Sequence, residues 1–266
     1  MNILAKRLAL SSILALGVAA LSAQSKEALQ PAAKPTIVLV HGAFAESSSW
    51  NGVASNLRSR GYPVVAAANP LRSVQGDAAY VETLIHSISG SVVLVGHSYG
   101  GSVISNVGNR DHRIKALVYV SAFAPEIGET ASGLSTRFPG STLGSALLAP
   151  VALPGGGSDL YIQQDKFPSQ FAADIPAADA AAAAVAQRPV TDKALNEPSG
   201  PPAWVSIPSW SIYGSKDKNI PPEALAFMAR RARARHVVEI EGASHVVMIS
   251  HPDEVADLIV EAAQSR

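Results

Sequence analysis

The sequence predicts an α/β protein built on a doubly wound, mainly parallel sheet. Three observations point there. Six short runs rich in apolar and β-branched residues are spread along the chain, amphipathic stretches at helical spacing separate them, and a glycine-flanked turn directly follows the third run. With 47% hydrophobic residues in 266, the chain has ample material for a buried core.

The first segment reads as an address. Lys6 and Arg7 precede an apolar run from Leu8 to Leu21, and small residues follow at Ser22 and Ala23. A positive start, a short apolar stretch and a small-residue cleavage site predict a secretory signal over 1–23. The run is 14 residues long, short of the roughly 20 that span a bilayer, so no stable membrane insertion is expected after cleavage. Residues 24–35, with Pro31 and Pro35, read as a tether. The expected location is therefore exported, periplasmic or secreted.

The core is expected over 36–124 and 206–266. Its strand candidates are Thr36–Val40, Pro63–Ala67, Val92–Val95, Ala116–Val120, Ile207–Tyr213 and Val237–Ile240. Their unbroken apolar character suggests burial on both faces. Trp50, Val53, Ala54 and Leu57 recur at i, i+3, i+4, i+7, as do Val81, Leu84, Ile85 and Ile88, predicting helices. The last helix is expected to begin at His251-Pro252-Asp253-Glu254, with Pro at its first position. Residues 125–205 hold no comparable strand. Ala177–Ala186 is expected to be one helix of a cap inserted there, anchored by Phe167, Phe171 and Ile175.

Composition excludes several chemistries. Without cysteine there is no thiol nucleophile, thiolate zinc site or disulfide framework. The 21 basic residues balance 21 acidic ones, and removal of 1–23 leaves 19 against 21, so phosphate-backbone binding is not expected. Arg230, Arg231, Arg233 and Arg235 read as a solvated helix C-terminus, not a nucleic-acid patch. No metal-ligand, P-loop or dinucleotide motif is present, so neither metal nor organic cofactor is expected.

Gly96-His97-Ser98-Tyr99-Gly100 is a G-x-S-x-G between the third apolar run and a helix candidate. Such a turn exposes a serine hydroxyl at the C-terminal edge of a sheet and aims free helix N–H groups at developing negative charge. A serine needs a base. Of seven histidines, His245 alone lies in a loop after a strand at that edge; His97 is expected to point away from it, and His41 to hold a loop. Asp217, in the loop after Ile207–Tyr213, is the expected acid, with Glu126 in reserve; its other reading is a turn or cap carboxylate. The expected oxyanion donors are the N–H of Tyr99 and of Ala43, with Phe44 one register away. Phe44, Phe123 and Val246 are candidate substrate-pocket residues.

HGAFAESSSW, GHSYGG, IYGSKDKNIPPE and GASHVVMISHPDEVADLI, in this order, resemble the α/β-hydrolase superfamily. More narrowly, they look like the compact bacterial esterase-like branch related to plant methylesterases and hydroxynitrile lyases. The resemblance runs from Thr36 to the C-terminus and is weakest through 125–205. It implies a six-stranded sheet flanked by helices, with a helical cap inserted after the sixth family strand. Larger members have two further strands ahead of the His-Gly strand. It also implies a hydrolase with Ser98, Asp217 and His245 as its triad and a small-molecule ester as substrate. Hydroxynitrile lyases usually replace the Gly of His-Gly, and Gly42 is retained. Lyase, acyl-transfer or perhydrolase chemistry on the same triad stays open, as does a non-catalytic ligand-binding role; the chain is expected to be a monomer or homodimer.

Overall fold

A computed structural model of the chain describes residues 33–107 and 111–265. The expected signal at 1–23 and most of the tether lie outside the described residues. Strand β1 (Thr36–Val40) leads through a 3-10 turn to α1 (Asn51–Ser59), then β2 (Val64–Ala67), α2 (Val74–His86), β3 (Val92–His97), α3 (Tyr99–Asn106) and β4 (Ile114–Val120). After a long excursion the chain returns as β8 (Ser209–Gly214), α9 (Pro222–Arg231), β9 (Val237–Ile240), α10 (Val247–Ser250) and α11 (Pro252–Gln264). These six strands make one sheet in the order β2-β1-β3-β4-β8-β9, every pairing parallel.

The order explains the burial. Strands β1 and β3 are buried at every position because helices cover both faces, as their apolar runs predict. Strands β2 and β9 are the sheet's edges, and both are only partly buried, a departure from the expected burial on both faces. An apolar run cannot by itself distinguish an edge from a centre. Three strand ends run one or two residues beyond the expected ones, most usefully at β3, which runs on to His97, whereas β2 and β8 begin one and two residues late.

Helix α2 starts where Ser73 accepts a hydrogen bond from the Gly76 N–H. Helix α11 carries Pro252 at its first turn, with Asp253 and Glu254 on its positive end. Its apolar face, Val255, Leu258 and Ile259, is buried, while Asp253 and Asp257 reach Asn56 and Arg60 of α1 and the turn behind it. Helix α3 is buried along almost its whole length, which suits its small side chains.

Between β4 and β8 lie α4 (Ala131–Ser135), α5 (Leu143–Ala146), β5 (Val151–Ala152), β6 (Ser158–Leu160), α6 (Phe167–Phe171), α7 (Ala177–Ala186), β7 (Val190–Thr191) and α8 (Asp192–Asn196). The alanine run forms the expected helix. The expectation of no strand needs amending: β5, β6 and β7 make a small antiparallel sheet of two- and three-residue strands, too short to leave a periodic signature. One member of the arginine cluster departs from its expected role; Arg230, Arg233 and Arg235 are exposed as expected. Arg231 is not solvated: its guanidinium forms a two-pronged pair with Glu129, at 2.8 and 2.6 Å, donates to Ala124 O, and lies over Phe227. It ties α9 to the start of the cap. Glu126 lies on the same cluster, 3.6 Å from Arg231 and half exposed, which removes it as reserve acid.

Parallel pairing aligns the strand ends. Val40 lies opposite Gly96, His97 opposite Val120, and Val120 opposite Ile212, so the loops after β1, β3, β4 and β8 leave the sheet side by side. Chain order reverses about β1, the place where open α/β sheets form crevices. Two histidines are buried beneath this edge, His41 after β1 and His97 at the end of β3. Burial holds the His41 imidazole down at about 4 despite its hydrogen bond to Gly42 O, and the Arg188 charge adds to the effect. Burial and the neighbouring His245 hold His97 well below the usual range.

Unfolding would release both rings to ordinary proton affinity. Between pH 6.5 and 4 the unfolded chain then binds more protons than the folded one, so stability is complete above pH 6.5 and falls as the pH drops. For His41 alone the loss at pH 5 is about 2 kcal/mol, enough to lower Tm by roughly 4–8 °C at this size. Thermal unfolding at pH 7.5 and 5.0 measures it; an unchanged Tm would refute the assignment.

Candidate active site

Ser98 occupies a backbone conformation that side chains rarely adopt, φ +52° and ψ −122°, between β3 and α3. The surroundings over-determine it. A Cβ at Gly96 would lie 2.6 Å from Gly100 O, and one at Gly100 would lie 2.3 Å from Val40 O. Only glycine at both positions allows strand, helix and β1 to close on the turn. Ser98 is then held by its own backbone: its N–H donates to Val120 O, and its carbonyl accepts from Gly101 and Phe123. Strain of about 1–3 kcal/mol is typical of such a residue and is sustained by contacts of this kind.

The loop after β1 packs on this turn. A Cβ at Gly42 would stand 2.6 Å from Ser98 Cβ and 3.1 Å from the Tyr99 nitrogen, so the loop backbone runs directly against the serine. Of the two candidate loop donors, the Phe44 N–H is already used, donating to Arg188 O of the cap at 2.9 Å. Ala43 remains, beside Ser98 on the cavity wall. The Tyr99 N–H opens α3 and has no acceptor a turn earlier in the helix. Behind it, the Tyr99 hydroxyl donates to buried Asp77 at 2.9 Å, and the same carboxylate accepts from the Arg72 N–H. Burial raises the Asp77 carboxyl and drives the Tyr99 hydroxyl far up. Sequence reasoning gave Asp77 no role; a lone acid on an amphipathic helix looks solvent-facing.

His245 and Asp217 meet across the loops after β9 and β8. Nδ1–H of His245 donates to Asp217 Oδ2 at 2.6 Å, with both side chains fully buried. Asp217 Oδ1 accepts from the Asn219 and Ile220 N–H groups at 2.8 and 2.9 Å. The two oxygens of Asp217 are therefore engaged differently, Oδ1 as a turn carboxylate and Oδ2 with the histidine. A proton fixed on Nδ1 leaves a lone pair on Nε2, which has no hydrogen-bond partner among the described residues. Ser98 and His245 line the same cavity.

The His245 ring is held on two further sides. His97 lies behind it, ring centroids 4.8 Å apart, and His97 Nε2 is 3.1 Å from His245 O. Because a carbonyl only accepts, that nitrogen carries the proton, and neutral His97 leaves Nδ1 bare and unpartnered. The ring is fully buried, but it packs against the candidate base, a departure from the expectation that it would point away from the reacting edge. From the cap, Phe171 meets His245 at 5.0 Å in an edge-to-face arrangement. Ser244, just before His245, donates to Phe171 O at 3.3 Å and to the Asp174 carboxylate. Phe171 is anticipated only as an anchor; nothing in the local pattern says where a cap residue will land.

The cavity over Ser98 measures about 620 Å³, within the range of small-molecule sites. Phe44 and Phe123 line it as expected. Val246 does not: it is buried in the core at the start of α10, turned from the cavity by that helix. The cap supplies most of the wall instead, including Phe138, Leu143, Leu147, Leu160 and Leu195.

Comparison with known proteins agrees with this architecture. A model of the alpha/beta hydrolase family matches residues 37–258. An alpha-hydroxynitrile lyase of Arabidopsis thaliana is 26% identical over 84% of this chain and 95% of its own. A carbendazim hydrolyzing esterase of Nocardioides sp. is 36% identical over a shorter stretch, 36% of this chain and 46% of its own. The crystal structure of polyneuridine aldehyde esterase superposes with a TM-score of 0.76 at 21% identity, covering 87% of this chain and all of the other. The chain belongs to the alpha/beta hydrolase family, among relatives that include a plant methylesterase and a plant hydroxynitrile lyase.

Proposed function

We propose that the protein is an exported serine esterase that cleaves carboxylic esters through Ser98, His245 and Asp217. The observation that carries the reading is the buried Asp217–His245 pair, which leaves a bare Nε2 in the cavity that Ser98 lines. The esterase relatives support the reaction class.

On this reading the reaction runs in two halves. Ser98 Oγ attacks the acyl carbon as Nε2 takes its proton, and charge gathers on the former carbonyl oxygen. The N–H groups of Ala43 and Tyr99 receive that charge, aided by the positive end of α3. Asp217 holds the tautomer and stabilises the imidazolium. Nε2 then returns the proton to the departing alcohol, leaving an ester on Ser98. A water, deprotonated by the same Nε2, attacks that ester; the carboxylic acid leaves and Ser98 Oγ recovers its proton. Atoms balance with water alone, and no step calls on a metal or cofactor.

A lyase reading has one observation in its favour, the hydroxynitrile lyase among the relatives. Gly42 favours ester cleavage, because the Gly of His-Gly is usually replaced in hydroxynitrile lyases and is retained here.

Replacing Ser98 with Ala is expected to lower kcat on p-nitrophenyl butyrate by roughly 10⁴-fold or more and to abolish labelling by a fluorophosphonate. Asp217→Asn, which leaves the histidine in the wrong tautomer, should lower kcat by about 10³–10⁴-fold with little change in KM. Full activity in Ser98→Ala, or cyanohydrin cleavage faster than ester hydrolysis by the unaltered protein, would overturn the reading. Export is tested separately: secreted from a bacterial host, the protein should yield a new N-terminus just after Ser22 or Ala23. Retention of Met1 in a cytoplasmic product would remove that part of the proposal.

A further inference from the structure

None of the reaction steps involves His97, yet it is joined to both groups that exchange the proton. It ends β3, is fully buried, and directly precedes Ser98. Its Nε2–H donates to the His245 carbonyl at 3.1 Å, and its Nδ1 has no partner among the described residues. It lies outside the cavity wall.

Stability gives little reason for an imidazole at this position. A buried, unpartnered nitrogen is unfavourable in a way that an apolar side chain of similar size is not. Packing would be served as well by phenylalanine: Trp50, Phe171 and His245 surround the ring, with centroids at 6.3, 6.2 and 4.8 Å. What phenylalanine lacks is the N–H.

That N–H joins nucleophile to base by a short route: Ser98, one peptide, the His97 ring, one hydrogen bond and the main chain of His245. Asp217 pins the His245 side chain at Nδ1. A ring pinned at one atom can still pivot about that bond, and a second hold on the main chain of the same residue fixes where Nε2 falls. Ser244 holds the loop as well, but to the cap, which carries neither Ser98 nor Asp217. The donor also has to be neutral. A lysine or arginine reaching the same carbonyl would set a cation beside a ring that must itself take up a proton. Burial and the adjacent His245 keep His97 uncharged.

From this we infer that His97 is a positioning residue, whose Nε2–H on the His245 carbonyl sets the distance between Ser98 and the base. The inference rests on the esterase reading, because the role it assigns is a role in that reaction. His97 transfers no proton itself.

Two variants of the full-length protein separate the hydrogen bond from the packing. His97→Gln keeps a neutral N–H the same number of bonds from the backbone and gives up the ring. His97→Phe keeps the ring and gives up the N–H. On p-nitrophenyl butyrate, His97→Phe is expected to lose about 100-fold in kcat with KM little changed, the effect of misplacing a catalytic group by about 1 Å. His97→Gln should recover roughly tenfold or more of that loss, and fluorophosphonate labelling of Ser98 should slow in the same order. If His97→Phe is as active as His97→Gln, or its loss lies in KM, the role is packing and the inference is overturned.

Nitrogen NMR of the unaltered protein tests the same bond without a variant that has to fold. His97 should carry its proton on Nε2 and stay neutral from about pH 8 to about pH 6, where a free imidazole begins to charge. A proton on Nδ1, or a ring that charges in that interval, overturns the inference. Loss of the esterase reading looks different: the unaltered protein cleaves no ester and Ser98 resists fluorophosphonate, while His97 keeps its Nε2 proton.

Discussion

Much of the site depends on one steric constraint, the close approach of backbone to backbone where β1 and β3 end. Gly100 sits under Val40 O and Gly96 under Gly100 O, at distances that admit no side chain. That closure drives Ser98 into its positive-φ turn and brings the Gly42 loop against it. The nucleophile candidate and both backbone donor candidates are thus placed by packing among main-chain atoms, which side-chain motion cannot disturb. The two remaining members, Asp217 and His245, come from loops whose strands β8 and β9 are fixed by register in the same sheet. A parallel sheet is what makes this possible, since it delivers several loop ends to one edge.

How far the sequence discloses such a site follows from which forces are local. The strands of the central sheet announce themselves because burial on both faces demands unbroken apolar runs, and the glycines of the serine turn because a strained backbone tolerates little else. His245 and Asp217 are legible through their positions after strands. Val246 misleads for the same reason. It adjoins His245 in sequence, but the first turn of α10 rotates it into the core. Arg231 misleads differently: a cluster of four arginines reads as solvated charge, and only the fold brings Glu129 and Phe227 to one of them. Residues of the cap carry least local information. Their strands are shorter than any period, and which of their faces meets the sheet is decided by contacts more than a hundred residues apart in places.

Those distant contacts bear on how the cap can behave. Among its fastenings are the Arg231–Glu129 pair at its start, the Phe44 N–H to Arg188 O bond at the oxyanion loop, Ser244 with Phe171 and Asp174 at the histidine loop, and the Thr142 N–H to Lys218 O and Ser141 hydroxyl to Asn219 O bonds at the Asp217 loop. The last three attach to residues that adjoin the proposed donor, base and acid. A cap so attached cannot swing aside as a rigid lid without pulling on Ala43 or His245. Local loosening at α4, whose hydrogen bonds stay within its own turns, leaves these loops undisturbed. Selectivity and positioning are therefore divided along the chain. The α4 segment of the cavity wall is free to vary in shape, whereas Phe171, Asp174, Arg188 and Thr142 are constrained by what they hold in place.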